Sequence, residues 1–406
     1  MATEAAAPLA EGTKPPLPAR QRCAEALVLR RWALHVLWDA PVPPALAAAA
    51  EACSPGGWAL FLGMERCALP LGRAVRPGQV PPHGAAVLEA STLRELQRVL
   101  GARAQLRTFA AAAAERGWTV VVLKGGAAVA GGSPPLDLVD VDVLVPRDTA
   151  GEVAGFLEGR GYDRHGHDPG VNSASFWHLA ARTAPGALMV EVHFTVQGFE
   201  PIEETIARAV PLPERPLLRM APADELWHLL LHGVSHHLNR RGNLRELQLM
   251  KAALARCAPA DRADVGARVA AHRDAPAMRA VLRMAEWPNG TAPADPFASM
   301  AAGGYLAGAS RALFASRVLW SDLVDALSAL LARDGATRRL WATVPARPDV
   351  ESAHPAIARL ERAAPPVGRA ARVLQRVVRL SASFARAVPM AVRARRLADA
   401  SAPPSS

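Results

Sequence analysis

The sequence predicts an α+β fold, a small mixed sheet flanked by N-terminal and C-terminal helical regions, and three observations carry it. Apolar residues recur at helical spacing up to Arg116, form short β-branched or alternating runs between Thr119 and Phe194, and return to helical spacing from about residue 200. At 406 residues, 50% of them hydrophobic, the chain can bury a full core, which excludes an intrinsically disordered protein.

Residues 1–21 are rich in Ala and Pro, lack a periodic apolar pattern and read as a flexible tail. The N-terminal helical region, 22–117, has helical patterns over Ala24 to Trp38, Pro44 to Cys53, Trp58 to Ala68 and, most clearly, Ser91 to Arg116. Gly117 stands where a left-handed glycine closes a helix. An α/β core follows over 118–200. Thr119 to Leu123 is a short β-branched strand, and Val139 to Val145 alternates: Val139, Val141, Val143 and Val145 point one way, Asp140, Asp142 and Leu144 the other. A helix from Thr149 to Arg160 leads through Gly161 to a hairpin with arms Ser175 to Arg182 and Leu188 to Phe194, turning at Pro185-Gly186. Its second arm sets Val190, Val192 and Phe194 against Met189, Glu191 and His193.

The C-terminal helical region, 201–345, reads without strands, as helices over Ala223 to Leu238, Leu244 to Arg256, Val265 to Ala285 and Ala312 to Arg333. Residues 346–406 form a Pro/Arg-rich tail. Between Arg362 and Arg396 it holds nine arginines and no acidic residue, with Arg369, Arg372, Arg376 and Arg379 on one face of an amphipathic helix. That face suits RNA phosphates or an anionic surface, or it is the solvated side of a helix packed on the body.

The net charge of +10 gives a positive field that attracts polyphosphates, nucleic acid or anionic lipid without choosing among them. Lys14, Lys124 and Lys251 are the only lysines, so each one invites attention. Cys23, Cys53, Cys67 and Cys257 are scattered, which argues against a disulfide framework or a zinc knuckle and for reduced, buried thiols. No stretch approaches the ~18 apolar residues of a membrane span, and Met1 to Ala19 lacks the apolar core of a signal peptide. A cytoplasmic protein is expected.

Asp140 and Asp142 leave the same face of a strand only ~7 Å apart along the backbone. Two carboxylates so close repel unless a proton or cation intervenes, and acids are depleted from strand interiors. A divalent cation is the simplest explanation, Mg²⁺ or Mn²⁺ for oxygen ligands; the alternative is an edge strand with one solvated face. Upstream, the strand ending at Leu123 runs into Lys124-Gly125-Gly126, a strand-to-helix turn. There backbone N–H groups and the Lys124 ammonium can meet phosphate, although a glycine pair is more often only a tight turn.

A glycine pair after an apolar strand, 13 intervening residues, then Asp140-Val141-Asp142-Val143 resembles the signature of the DNA-polymerase-β-like nucleotidyltransferase superfamily, with Glu191 matching the third acid on a later strand. The set Val122-Leu123-Lys124-Gly125-Gly126-Ala127, Asp140 to Pro146, Gly161-Tyr162 and Val190-Glu191-Val192-His193 resembles more closely the bacterial uncharacterised nucleotidyltransferase family. The helical lead-in Leu93 to Trp118 and the helix Glu225 to His236 join that resemblance, which covers about residues 30 to 290. The chain departs from it in having Glu191 for Asp, Leu136 for an Arg four residues before the first acid, and Gly125-Gly126 for the Gly-Ser frequent in the superfamily.

The resemblance implies a metal-dependent nucleotidyltransferase that uses an NTP as substrate and releases pyrophosphate. Asp140, Asp142 and Glu191 would be the catalytic metal ligands, and Lys124, Gly125 and Gly126 would hold the β- and γ-phosphates. The acceptor stays open between small molecule, protein and RNA. A catalytically weakened nucleotide- or RNA-binding accessory protein is the alternative. Asp142→Asn is expected to fold and fail to transfer. His228, His232 and His236 share a helix stripe at i, i+4, i+8 and read as metal ligands of a hydrolase, as the lining of a cleft, or as a polar flank. His193 either orients the carboxylates or is a half-buried core histidine.

Overall fold

The computed structural model describes residues 18–131, 136–165, 176–181, 187–196, 198–199, 201–236, 243–272 and 274–287, together with isolated positions from 295 to 397. Its front section is helical: α1 (Ala19–Leu37), α2 (Pro44–Glu51), α3 (Pro55–Glu65), α4 (Ala68–Ala74) and α5 (Pro82–Arg116). Left-handed Arg66, at φ 52°, ends α3 and divides what the apolar spacing had joined into one helix. Gly117 closes α5 in the left-handed region as expected, its N–H bonded to the Ala113 carbonyl.

The middle section supplies β1 (Val121–Val122), α6 (Lys124–Ala130), β2 (Asp140–Leu144), α7 (Ala150–Glu158), β3 (Tyr162–His165), β4 (Phe176–Ala181) and β5 (Met189–His193). After it come α8 (Ile202–Arg208), β6 (Val210–Pro211), β7 (Leu218–Arg219), α9 (Pro222–Leu230), α10 (Leu244–Arg256), α11 (Pro259–Ala271) and α12 (Ala275–Glu286). The strands join in one mixed sheet of order β3-β4-β5-β2-β1-β7-β6. Pairs β2–β5 and β1–β7 are parallel; β1–β2, β4–β5, β3–β4 and β6–β7 are antiparallel.

Strands therefore do not stop near residue 200. β7 adds to β1 and carries β6 with it, but two-residue strands are too short to show a period. β3, Tyr-Asp-Arg-His, shows no apolar alternation either. The helical pattern over Val265 to Ala285 is two helices, α11 and α12, with Pro276 in the first turn of the second. The pattern from Ala223 ends as α-helix at Leu230 and continues as a π-helical turn, Leu231–His236. The hairpin turn at Pro185-Gly186, the helix read at 312–333 and the face formed by Arg369, Arg372, Arg376 and Arg379 lie outside the described residues.

Two apolar cores cover the two sides of the sheet. Val122, Val141, Val143, Val190 and Val192 pack with Phe109 of α5 and Val153 and Phe156 of α7. Val121, Leu123 and Leu144 belong to a second core that runs through α1, α3, α9, α10 and α12, so helices from both ends of the chain share one interior. That interior also holds charge. Arg30, 1% exposed, donates from Nη1 to both Glu65 oxygens at 2.7 Å, and Glu65 further accepts from Tyr305 Oη and, at 2.7 Å, from the Leu244 N–H that opens α10. Burying this pair is costly unless every partner is in place, and here α1, α3, α10 and Tyr305 supply them.

Lys251, one of the three lysines, is structural. Its Nζ donates to the Leu37 carbonyl at 3.0 Å, at the end of α1, and lies over the Trp38 ring. All four cysteines are free and buried, as read from their scatter. Among the described residues no single helix is long and apolar enough to cross a membrane.

Candidate active site

β2 lies inside the sheet, hydrogen-bonded to β5 on one side and β1 on the other, so the solvated-edge reading of Asp-Val-Asp does not hold. Alternation sends Val141 and Val143 into the α5/α7 core and leaves Asp140, Asp142 and Leu144 on the side facing the helical body. The parallel register pairs Asp140 with Met189, Asp142 with Glu191 and Leu144 with His193. Directly paired residues of neighbouring strands point the same way, so Glu191 and His193 join the aspartates on one face. Gln105 of α5 fixes the entry to β5 by accepting from the Leu188 N–H at 3.0 Å and donating to its carbonyl at 2.7 Å.

Lys124 arrives from β1. The Leu123 N–H bonds the Asp142 carbonyl at 2.9 Å, and Lys124 then turns the chain into α6 from the left-handed region, at φ 48°. A non-glycine residue there costs of order 1 kcal/mol or more, strain that folds tolerate mainly at functional positions. Lys124 Nζ donates to Asp142 Oδ1 at 2.9 Å, and His193 Nε2 donates to the same oxygen at 3.1 Å while standing 3.4 Å from Glu191 Oε2.

These contacts set the protonation states. Burial alone would raise the Asp142 carboxyl, but the Lys124 ammonium and the His193 hydrogen bond outweigh it and hold the group well below the usual carboxylate range. Asp140 is raised by burial and, further, by the charges of Asp142 and Glu191, with Lys124 and Arg245 opposing. Burial lowers His193, yet its hydrogen bonds to Asp142 and Glu191 prevail and raise it above the ordinary imidazole value.

Among the described residues, one group of metal-capable side chains forms: Asp142, Glu191 and His193, whose ligand atoms all lie within 4.8 Å of one another. Asp140 stands beside this group, half-buried, and is coupled to it by charge. The glycines of the turn are enclosed. A Cβ on Gly125 would meet Arg245 Nη2 at 2.7 Å, and one on Gly126 would meet Val122 Cγ1 at 2.8 Å. Close packing against α10 and β1 therefore accounts for both glycines.

Sequence reasoning missed an arginine cluster at the turn before β2. Asp137, wholly buried, accepts from Arg66 Nε at 2.8 Å and Arg98 Nε at 2.6 Å, while its carbonyl accepts from Arg245 Nε. The guanidinium that the family pattern places at Leu136 is absent there, and three others reach the same turn from α3, α5 and α10. In a chain whose basic residues are nearly all Arg, no single one carries a mark; the signal was the buried acid beside the motif. His228 and His232 are buried with rings stacked at 5.9 Å, and His228 also lies against Phe199. They join no three-ligand group among the described residues, and the His236 side chain lies outside these. A surface cavity of about 400 Å³, lined by Arg116, Glu152, Phe156 and Arg160, belongs to α5 and α7, on the side of the sheet opposite the acids.

A family model described as uncharacterised nucleotidyltransferase matches residues 71–289, more than half of the chain, and its span contains β1, α6, β2 and β5. The chain belongs to the uncharacterised nucleotidyltransferase family. No curated protein matches the sequence. Nucleotidyl transfer from an NTP is the general activity to which membership points, and the three-ligand group supplies a place for a divalent metal.

Proposed function

We propose that this nucleotidyltransferase moves a nucleoside monophosphate from an NTP to an acceptor, small molecule, protein or RNA, by in-line displacement at the α-phosphate with pyrophosphate leaving. Asp140, Asp142 and Glu191 hold the divalent cations, Mg²⁺ or Mn²⁺, which when bound neutralise the triphosphate and acidify the acceptor hydroxyl. Glu191 also accepts the acceptor's proton. Lys124 exchanges Asp142 for a phosphate oxygen of the β–γ unit, and Arg245 keeps the Gly125-Gly126 turn fixed beneath it. What carries the reading is the pairing of Asp142 with Glu191 on adjacent parallel strands, which brings distant parts of the chain to one spot. The test is incubation with each labelled NTP and Mg²⁺ or Mn²⁺, following pyrophosphate release and label on protein, RNA or metabolite extract. Absence of both with every NTP discards the reading.

One observation favours a second reading, a catalytically weakened nucleotide- or RNA-binding protein. Asp142 Oδ1 already takes two donors, Lys124 and His193, so the carboxylate has its charge met from within the chain. Metal-dependent NTP binding without pyrophosphate release selects this reading.

A further inference from the structure

His193 occupies a place that hydrogen bonding alone does not require. Its backbone is fixed in β5, with its carbonyl accepting from the Val145 N–H at 3.0 Å, and its side chain is 11% exposed. From there Nε2 faces both carboxylates at once, 3.1 Å from Asp142 Oδ1 and 3.4 Å from Glu191 Oε2. Adjacent ligands of an octahedral ion with bonds of ~2.1 Å lie ~3.0 Å apart, and opposite ones ~4.2 Å. Nε2 thus already stands close to the separation of neighbouring ligands from one oxygen of each carboxylate.

We infer that His193 is itself a metal ligand, completing a two-carboxylate, one-imidazole site with Asp142 and Glu191 that selects Mn²⁺ over Mg²⁺. This rests on the reading that the carboxylates hold a divalent cation and adds the identity of that cation. Mg²⁺ is a hard ion that keeps to oxygen, whereas imidazole nitrogen suits first-row transition metals, which Mn²⁺ joins while still accepting carboxylate oxygen. To hold the ion, His193 would release its Nε2 proton to solvent from the imidazolium, leaving a neutral ring protonated at Nδ1 with the Nε2 lone pair free to ligate. The Lys124 ammonium, on a flexible stem, leaves Asp142 Oδ1 for solvent or phosphate.

The test uses the full-length protein without nucleotide. Mn²⁺ is titrated in while the electron paramagnetic resonance signal of the free aqua ion is followed, and Mg²⁺ is then added as competitor. Electron spin-echo modulation of the bound Mn²⁺ reports any directly coordinated nitrogen, and uniform ¹⁵N-histidine labelling assigns it. The expected result is Mn²⁺ binding at least about tenfold tighter than Mg²⁺, with imidazole modulation. His193→Gln should remove the modulation and most of the preference while retaining carboxylate-bound metal. Bound Mn²⁺ without nitrogen modulation in the wild-type protein overturns the inference and leaves the carboxylate reading standing, and that measurement needs no variant to fold. Absence of any bound Mn²⁺ overturns both.

Discussion

Asp142 of β2 and Glu191 of β5 stand directly opposite one another in a parallel ladder, so the distance between the two acids is set by backbone hydrogen bonds rather than by a loop. Sites built on strands hold their geometry better than sites on loops. The neighbours differ in what they stabilise: Asp142 is the counter-ion of Lys124 and His193, whereas Asp140 is opposed by the two other acids.

Asp140→Asn and Asp142→Asn should therefore separate stability from activity. Each should lower nucleotidyl transfer by at least ~10²-fold, the scale seen when one electrostatic contact to a transition state is removed. Asp140→Asn removes a repelled charge, and its melting temperature should equal or exceed wild type. Asp142→Asn still folds but removes the carboxylate that meets the buried Lys124 ammonium, and should melt lower. Equal melting temperatures for the two variants would show that the charge arrangement is wrong.

Gly125 and Gly126 give a second contrast. Alanine at 126 places a methyl against the Val122 side chain inside the sheet, an overpacking that costs ~1–3 kcal/mol. Alanine at 125 presses on Arg245 Nη2, and that guanidinium is buried and held by the Asp137 carbonyl and by Glu246, so it has little room to move and the stability loss should be at least as large. Urea unfolding of the two variants reads the difference, and a clearly smaller loss at 125 than at 126 would contradict it.

What the sequence could and could not reveal follows from range. The alternation Val-Asp-Val-Asp-Val states which face of β2 carries acid, because period two is a property of five consecutive residues. The opposition of Asp142 and Glu191 was reachable only through the ordered motifs, since register between distant strands is not encoded locally. Lys124 was noticed as a rare lysine at a glycine turn, but its contact with Asp142 depends on the backbone turning at φ 48° just where β1 pairs with β2. Arg245 stayed invisible because its contact with the Asp137 carbonyl is tertiary.

The charged interior of the helical body should be fragile. Arg30→Met leaves Glu65 and Asp295 facing each other without their shared cation, and removal of one partner from a buried ion pair costs ~3–5 kcal/mol. Tyr305→Phe removes only one neutral donor to Glu65 and should cost ~1–2 kcal/mol. Chemical denaturation of both variants tests this ranking, and a near-neutral Arg30→Met would refute it.

Glu95 should make stability fall as pH rises through neutrality. It lies on α5, 3% exposed, and its carboxylate accepts the Ala68 and Leu69 N–H groups at 3.1 and 2.8 Å, capping the start of α4 from another helix. Burial pushes its carboxyl from 4.5 up to about 7, and the Asp137 charge adds to this, against the pull of the two N–H bonds. Because the folded value lies above the unfolded one, the native state binds more protons between pH 4.5 and 7, so the contribution is full below pH 4.5 and is lost as pH rises through 7. The size is roughly 3 kcal/mol. Glutamine does not titrate but keeps only one acceptor oxygen and sets its NH2 against one of the two N–H groups, so Glu95→Gln should melt below wild type near pH 5, with the gap narrowing towards pH 8 as wild type loses stability. Thermal melts of both proteins across that range decide the matter: curves that stay parallel would remove Glu95 as the source of the pH dependence.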